Sequence, residues 1–217
     1  MNTQRTTPEL TSETLKTIFE RRSVRKFKDT PVENYLIAKI IEAGCMAPSA
    51  MNTQPRKFYV LTSPDTIQTF SKEIVKAFAR ESIHSGPSGV IKLLAGALYS
   101  FYYGGLSKGF DVFYRAPVVI FLTAPKDSGW ECYDIGMCAQ NMMLAAKTLG
   151  LDSCPLGVGK LVEHSSIYYK LRVPYPETVH LAISIGYGDE HPHVHKRVGN
   201  NVVYVDGISN SGSNETD

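Results

Sequence analysis

No long apolar run occurs in this sequence: the longest unbroken stretch, Ala116–Leu122, has seven residues, far short of the roughly 20 that a membrane-spanning helix needs. Charge of one sign is also lacking. Twenty-three Lys and Arg stand against 21 Asp and Glu, a formal balance of +2. The broad basic surface of a nucleic-acid binder or of a polybasic membrane binder is therefore not expected. Cysteine is sparse. Cys45, Cys132, Cys138 and Cys154 are spaced by 87, 6 and 16 residues, which makes no C-x-x-C pair, no zinc or iron–sulfur pattern and no disulfide scaffold. The expectation is reduced thiols in a cytoplasmic protein. Residues 1–14 are polar, so neither a secretory leader nor an anchor is expected there.

Nucleotide and catalytic fingerprints are missing too. Gly157-Val158-Gly159 is followed by Lys160-Leu161-Val162, without the third glycine of a dinucleotide loop, and no phosphate loop, nucleophile elbow, H-E-x-x-H or EF-hand occurs. No catalytic side chain and no metal ligand set is nominated. Three alternating histidines, His191, His193 and His195, are read as a loop rather than as ligands, because Pro192 interrupts them and no acidic or thiol ligand adjoins.

What is present is ordinary globular composition, 43% apolar and 20% charged over 217 residues, enough for one core. One domain is expected over 11–205, with flexible ends at 1–10 and 206–217, which are polar and aperiodic. Helices are expected at about Ser12–Arg22, from Thr30-Pro31-Val32-Glu33 (a capping box with Thr30 as cap) to about Gly44, from Ser63-Pro64 onward, and at Gly129–Leu149, the longest, closed by Gly150-Leu151. Strands are expected at Lys57–Thr62 and Pro117–Thr123. A third, half-buried strand is expected where Val179, Leu181, Ile183 and Ile185 alternate with His180, Ala182, Ser184 and Gly186. Residues 84–114 mix glycine with tyrosine and phenylalanine, a lid or wall for something flat, or a loop with its own small core. Interleaved helices with few strands give an α+β or three-layer α/β fold, not a doubly wound sheet.

Four stretches could carry chemistry. Arg21-Arg22-Ser23-Val24-Arg25-Lys26-Phe27-Lys28 is the one dense basic run. Its guanidinium forks and hydroxyl suit a phosphate monoester, though such residues also simply complement a helix end. Ala47-Pro48-Ser49-Ala50-Met51-Asn52-Thr53-Gln54-Pro55 has two prolines that favour an extended path, on which Ser49, Asn52 and Gln54 could read a heteroaromatic edge. Cys154-Pro155-Leu156-Gly157-Val158-Gly159 offers small residues for close backbone approach to a planar ligand. Lys196-Arg197 could return to a phosphate.

In this order and spacing the set resembles the nitroreductase family of FMN-dependent oxidoreductases, over roughly residues 15–197. Supporting elements are Arg115-Ala116-Pro117, Asp134-Ile135-Gly136 through Gln140-Asn141-Met142-Met143-Leu144-Ala145-Ala146 with Leu149-Gly150-Leu151, and Ile183-Ser184-Ile185-Gly186-Tyr187-Gly188. The resemblance implies a three-layer α/β/α fold with a mostly antiparallel central sheet, as an intertwined homodimer with two FMN sites between subunits. It implies that Arg21, Arg22, Ser23 and Arg25 bind the phosphate and ribityl end, with Arg25 near the pyrimidine. Pro48, Ser49, Ala50, Met51, Asn52 and Gln54 would line the flavin from the partner subunit. Pro155, Leu156 and Gly157 would pass backbone beside the ring, and Lys196 and Arg197 would close on the phosphate. Hydride would come from NADPH or NADH and go to a small electron-poor acceptor (a nitroaromatic, quinone or enone) in ping-pong order. Dehalogenation, flavin fragmentation and a non-catalytic FMN-binding dimer are the alternatives on the same fold. Two departures stand out: Arg56 replaces the aromatic that often follows Gln-Pro, and Val202, Val203 and Tyr204 stand where a Leu-x-Glu-Val-Val-like ending is usual.

Overall fold

The computed structural model describes residues 12–86, 88, 91, 111–126, 129–199, 201–203 and 205. In it the most apolar run of the chain becomes the middle of a sheet. Strand β2 (Val118–Pro125) lies antiparallel between β1 (Lys57–Leu61) and β4 (Glu177–Gly186), and β3 (Asp152–Leu156) pairs antiparallel with β4, giving the order β1-β2-β4-β3. A strand with no polar alternation requires cover on both faces. Ile120, Leu122 and Ala124 pack with helices α2 (Asn34–Cys45) and α4 (Glu131–Thr148); Val119 and Phe121 pack with α3 (Pro64–His84) and the 3-10 segment Gly157–His164. The result is a three-layer α+β fold with an antiparallel sheet.

Several element boundaries differ from the sequence expectation. Helix α1 (Glu13–Glu20) forms, but it buries no residue: Leu15, Ile18 and Phe19 all stay exposed. The N-cap of helix α2 lies three residues after the expected one. Glu33, in extended conformation, is its N-cap, and Thr30 does not cap it. Val32 and Ile37 flank that start within one buried cluster, the positions of a hydrophobic staple, which sets the entry angle without a side-chain cap. Helix α3 begins as expected at Ser63-Pro64 and buries Ile67, Phe70 and Ile74, while Phe78 is half-buried. At 21 residues it exceeds α4, with 18, so α4 is not the longest helix.

Helix α4 closes as its sequence predicts. Gly150 takes φ +78°, its N–H donates to Lys147 O at 3.1 Å, and Leu151 N–H donates to Ala146 O at 2.8 Å. This paired pattern satisfies the orphan carbonyls of the last turn, and it turns the chain directly into β3.

Strand β4 is not half-buried. It is a central strand covered on both faces, and its register breaks where Leu122/Thr123 of β2 oppose Leu181/Val179. His180 is the extra residue. A one-residue bulge reverses which face the following side chains meet. Leu181, Ile183 and Ile185 therefore pack toward α2 and α4, whereas Val179 joins the α3 face. Strand β3 was not expected as a strand. Pro155 sits within it and cannot donate to a ladder, a residue tolerated only toward an outer edge. The expected ends 1–10 and 206–217, and most of the 84–114 excursion, lie outside the described residues. Of the excursion, Val112 and Phe113 are buried in the α3-side core, and Phe113 meets Phe121 edge-on at 5.9 Å.

Candidate functional site

The basic turn is fixed by its backbone. After α1 the chain runs along the outer edge of β3: Val24 N–H donates to Ser153 O at 3.1 Å, and Ser23 forms a parallel bridge with Ser153. Further on, Lys28 N–H donates to Tyr187 O at 2.8 Å, and Phe27 bridges Gly188. Residues 21–28 thus extend the sheet, and only their side chains are left to do chemistry.

Those side chains crowd positive charge. Arg22 Nη1 donates to Phe19 O and Arg21 O, each at 2.7 Å, so part of Arg22 does cap the end of α1. Its Nε, and Nη1 of Arg21, are buried with no hydrogen-bond partner among the described residues. Burial, then Arg22 and then Arg197 push the Arg21 guanidinium below its ordinary pKa. Arg197, 176 positions away in sequence, thus lies near enough for its charge to act on Arg21. Lys196 beside it is exposed. Arg25 contributes its backbone N–H to the Glu190 carboxylate and its Nη1 to Ser23 O at 3.3 Å. Burial pushes the Cys154 thiol up, while the nearby Arg25 and Arg21 charges and the Ser23 hydroxyl pull it back. Two guanidiniums with buried, unused donors, Arg21 and Arg22, stand near the charge of Arg197, an arrangement that could hold one multivalent oxyanion.

The second stretch is built differently. Rather than an extended path, Ala50–Asn52 form a 3-10 turn after an extended Ser49. Met51, Asn52 and Gln54 take φ of +49°, +55° and +49°. Three non-glycine residues in the left-handed region cost about 1–2 kcal/mol each, and such strain persists where surrounding contacts enforce it. Ser49 Oγ accepts Gln54 N–H at 2.9 Å, Gln54 Nε2 donates to Asn52 Oδ1 at 3.2 Å, and Ala50 N–H donates to Asp134 Oδ1 at 3.1 Å. Pro48, Met51, Asn52 and Gln54 face solvent, with Met51 91% exposed. Arg56 does not stand on that exposed face. It is only 7% exposed, donates through Nη2 to Cys45 O at the end of α2, and lies close enough to Cys138 to act on its thiol. Its charge complements the C-terminal end of α2.

In the third stretch the side chains of Cys154 and Leu156 point into the α3-side core, so only backbone is offered there. The two glycines differ. A Cβ on Gly157 would meet nothing within 4 Å, while one on Gly159 would lie 2.4 Å from Ala182 Cβ. Open space is thus beside Gly157, and Gly159 is small for internal packing. His191, His193 and His195 are exposed.

The basic turn and the Ser49–Gln54 loop do not meet within one chain. The loop hangs on Asp134 near the start of α4; the turn rests on β3 just beyond the end of α4. At 1.5 Å per residue the helix separates them by roughly 20 Å. A cleft of about 970 Å³, lined among others by Val32, Gln68, Lys72, Asp111 and Arg115, includes none of the expected site residues. Sequence reasoning also nominated neither Asp134 nor Glu190 as a site residue. The available signal was a carboxylate on an otherwise apolar helical face and a conspicuous acid just before the histidine run.

Comparisons with known proteins agree with this architecture. The model of the Nitroreductase family matches residues 18–187. A 4-nitrobenzoate reductase of Pseudomonas putida is 30% identical over 202 residues, covering 80% of this chain and 84% of its own. A chloronitrobenzene nitroreductase of Comamonas testosteroni is 28% identical over 207 residues, covering 79% and 85%. Among solved structures, a nitroreductase with bound FMN from Desulfitobacterium hafniense aligns with a TM-score of 0.75 at 26% identity, covering 89% of this chain and 98% of that one. A family match over residues 18–187 places this chain in the nitroreductase family.

Proposed function

We propose that this protein is an FMN-dependent oxidoreductase acting as a homodimer in the cytoplasm, with one domain over residues 11–205. The observation that carries the reading is the guanidinium cradle: Arg21, Arg22 and Arg197 converge, with buried donors on Arg21 and Arg22 that lack acceptors. A phosphate monoester would supply those acceptors and offset the burial and the mutual repulsion that depress Arg21. Ser23 and Arg25 would serve the same end of the cofactor, with Lys196 alongside Arg197. The open space at Gly157 leaves room for a flat ring beside the backbone of Pro155–Gly157.

Two observations support a site shared between copies. The Ser49–Gln54 loop lies far from the turn of its own chain, so a partner's loop (Pro48, Ser49, Ala50, Met51, Asn52 and Gln54) would have to complete the site. The uncovered apolar side chains Leu15, Ile18 and Phe19 of α1, with Tyr133 and Met137 of α4, form the kind of surface that a stable interface covers. Bound FMN would supply hydride chemistry between NADPH or NADH and, in ping-pong order, an electron-poor acceptor such as a nitroaromatic, quinone or enone. The chain's own residues hold the phosphate, offer amide and hydroxyl groups to the ring edge and exclude water. No acid–base pair is required of them. The test is the visible absorption spectrum of the purified protein, followed by anaerobic addition of NADPH or NADH. Flavin bands that bleach on addition are expected. Colourless protein that ignores added FMN overturns the reading, and flavin that neither donor bleaches reduces it to a non-catalytic FMN-binding dimer.

A further inference from the structure

We infer that Asp134 is a positioning residue of this site, fixing the Ser49–Gln54 loop in the one shape that can line the cofactor; the inference rests on the reading above, in which that loop meets the flavin. Asp134 is 2% exposed on the face of α4 that also carries Ile135, Cys138 and Met142 into the core. Packing alone gives no reason for a carboxylate there, since burying one is costly and an apolar residue would fill the space. Its side-chain contact to the loop is the hydrogen bond accepted from Ala50 N–H at 3.1 Å. The bonds from Gln54 N–H to Ser49 Oγ, from Gln54 Nε2 to Asn52 Oδ1 and from Thr53 Oγ1 to Ala50 O all lie inside the loop. They give it internal shape but would move with it as a body. The Asp134 bond ties that body to a helix of the core.

The tie sits where it governs the strained part of the loop. Ala50 opens the 3-10 turn, and Met51 and Asn52 follow at once in the left-handed region. Releasing Ala50 lets the loop swing as a body against α4, which turns the Asn52 and Gln54 amides to new directions. The loop would survive as a loop and fail as a lining.

Because the donor is a backbone N–H, it can be deleted without touching the acid. Ala50 is the first residue of the turn, and Ser49 before it is extended at φ −142°, ψ 155°. Both positions accept a proline at 50. The experiment follows release of FMN from diluted holoprotein by recovery of flavin fluorescence, for wild type, Asp134→Ala, Asp134→Asn and Ala50→Pro. Asp134→Ala and Ala50→Pro should release flavin about ten-fold faster, the order expected for one hydrogen bond to a charged group. Asp134→Asn keeps Oδ1 as an acceptor and should stay within about three-fold of wild type on the same reasoning. Flavin held as tightly by Ala50→Pro as by wild type overturns the inference, as does an Asn variant as leaky as the Ala variant. A lowered melting temperature with unchanged release reduces Asp134 to a fold residue and also overturns it. Should Asp134→Ala fail to fold, Ala50→Pro decides alone. A wild type without flavin sinks the cofactor reading instead, so the two failures are distinguishable.

Discussion

The arginine turn and the Ser49–Gln54 loop carry the two halves of one proposed site, and they are held by opposite means. Residues 23–28 are bound through their backbone to β3 and to the chain beyond β4, at Ser153, Tyr187 and Gly188, which leaves charged side chains crowded above a rigid base. The loop has an exposed backbone in unfavourable angles and is held largely by side chains, those of Ser49, Asn52 and Asp134. Charge can be concentrated on regular structure, because its repulsion is offset when the anion arrives. Directional reading of a ring edge needs an irregular backbone, and irregularity has to be enforced from outside.

The sharpest way to break the comparison is to reverse charge in the turn. Arg21→Glu should lower FMN retention more than about 100-fold, since it both removes a donor and adds repulsion beside the phosphate, while the fold persists. Flavin-to-protein ratio after gel filtration reads it, and full retention would show that the cradle is not the phosphate site. Next in size is Arg56→Ala at the end of α2. Losing a buried side chain and its bond to Cys45 O should cost about 3 kcal/mol of stability, measured by urea unfolding. An effect below about 1 kcal/mol would mean that the end of α2 does not depend on this guanidinium.

A pH series separates two thiols, one beneath each half. Burial raises Cys138, beside Arg56, to about 11 from 9.0, and also raises Cys154 beneath the turn. A raised thiol favours the folded state while it stays protonated, so that contribution is complete below pH 9 and is lost as pH climbs toward 11. Stability should fall through that window, and Cys138→Ser should flatten the fall. A slope unchanged by that substitution would place the titration elsewhere. Cys45 and Cys132, both exposed, should react with a thiol reagent in the native protein well before Cys138 and Cys154. The smallest effect belongs to Met51→Gly. Relief of left-handed strain, less the entropy glycine adds to the unfolded chain, should stabilise by about 0.5 kcal/mol and loosen flavin slightly. A destabilised variant would show that the exposed methionine is packed in solution.

Legibility in the sequence followed locality. The Gly150-Leu151 closure, the Ser63-Pro64 start and the apolar run of β2 were readable because each rests on neighbours in sequence. The face of Val179 was not: the extra residue at His180 is defined against β2, and alternation within one strand carries no trace of it. Strand β3 was hidden by Pro155, whose tolerance depends on lying at an edge. Thr30 was expected to cap α2 with Glu33 as its capping-box partner, yet Glu33 itself is the N-cap, beside Val32 packed in the core. At the proposed site, the turn and the loop stood out in the sequence through their guanidinium, hydroxyl and amide groups. Asp134 was not singled out, because its purpose depends on a backbone N–H 84 positions away.

The arginine turn also guards the molecule. Strand β3 is outermost in the sheet, and an open outer strand invites pairing with another chain. Segment 23–28 lies along it, bridging Ser153 and reaching past it to Gly188, with Lys26 and Lys28 exposed. A protein that loses its grip on this segment would offer a bare strand. Self-association should therefore set in below the temperature at which the core melts, and the segment proposed to hold one small anion would also stand between the folded protein and the aggregate.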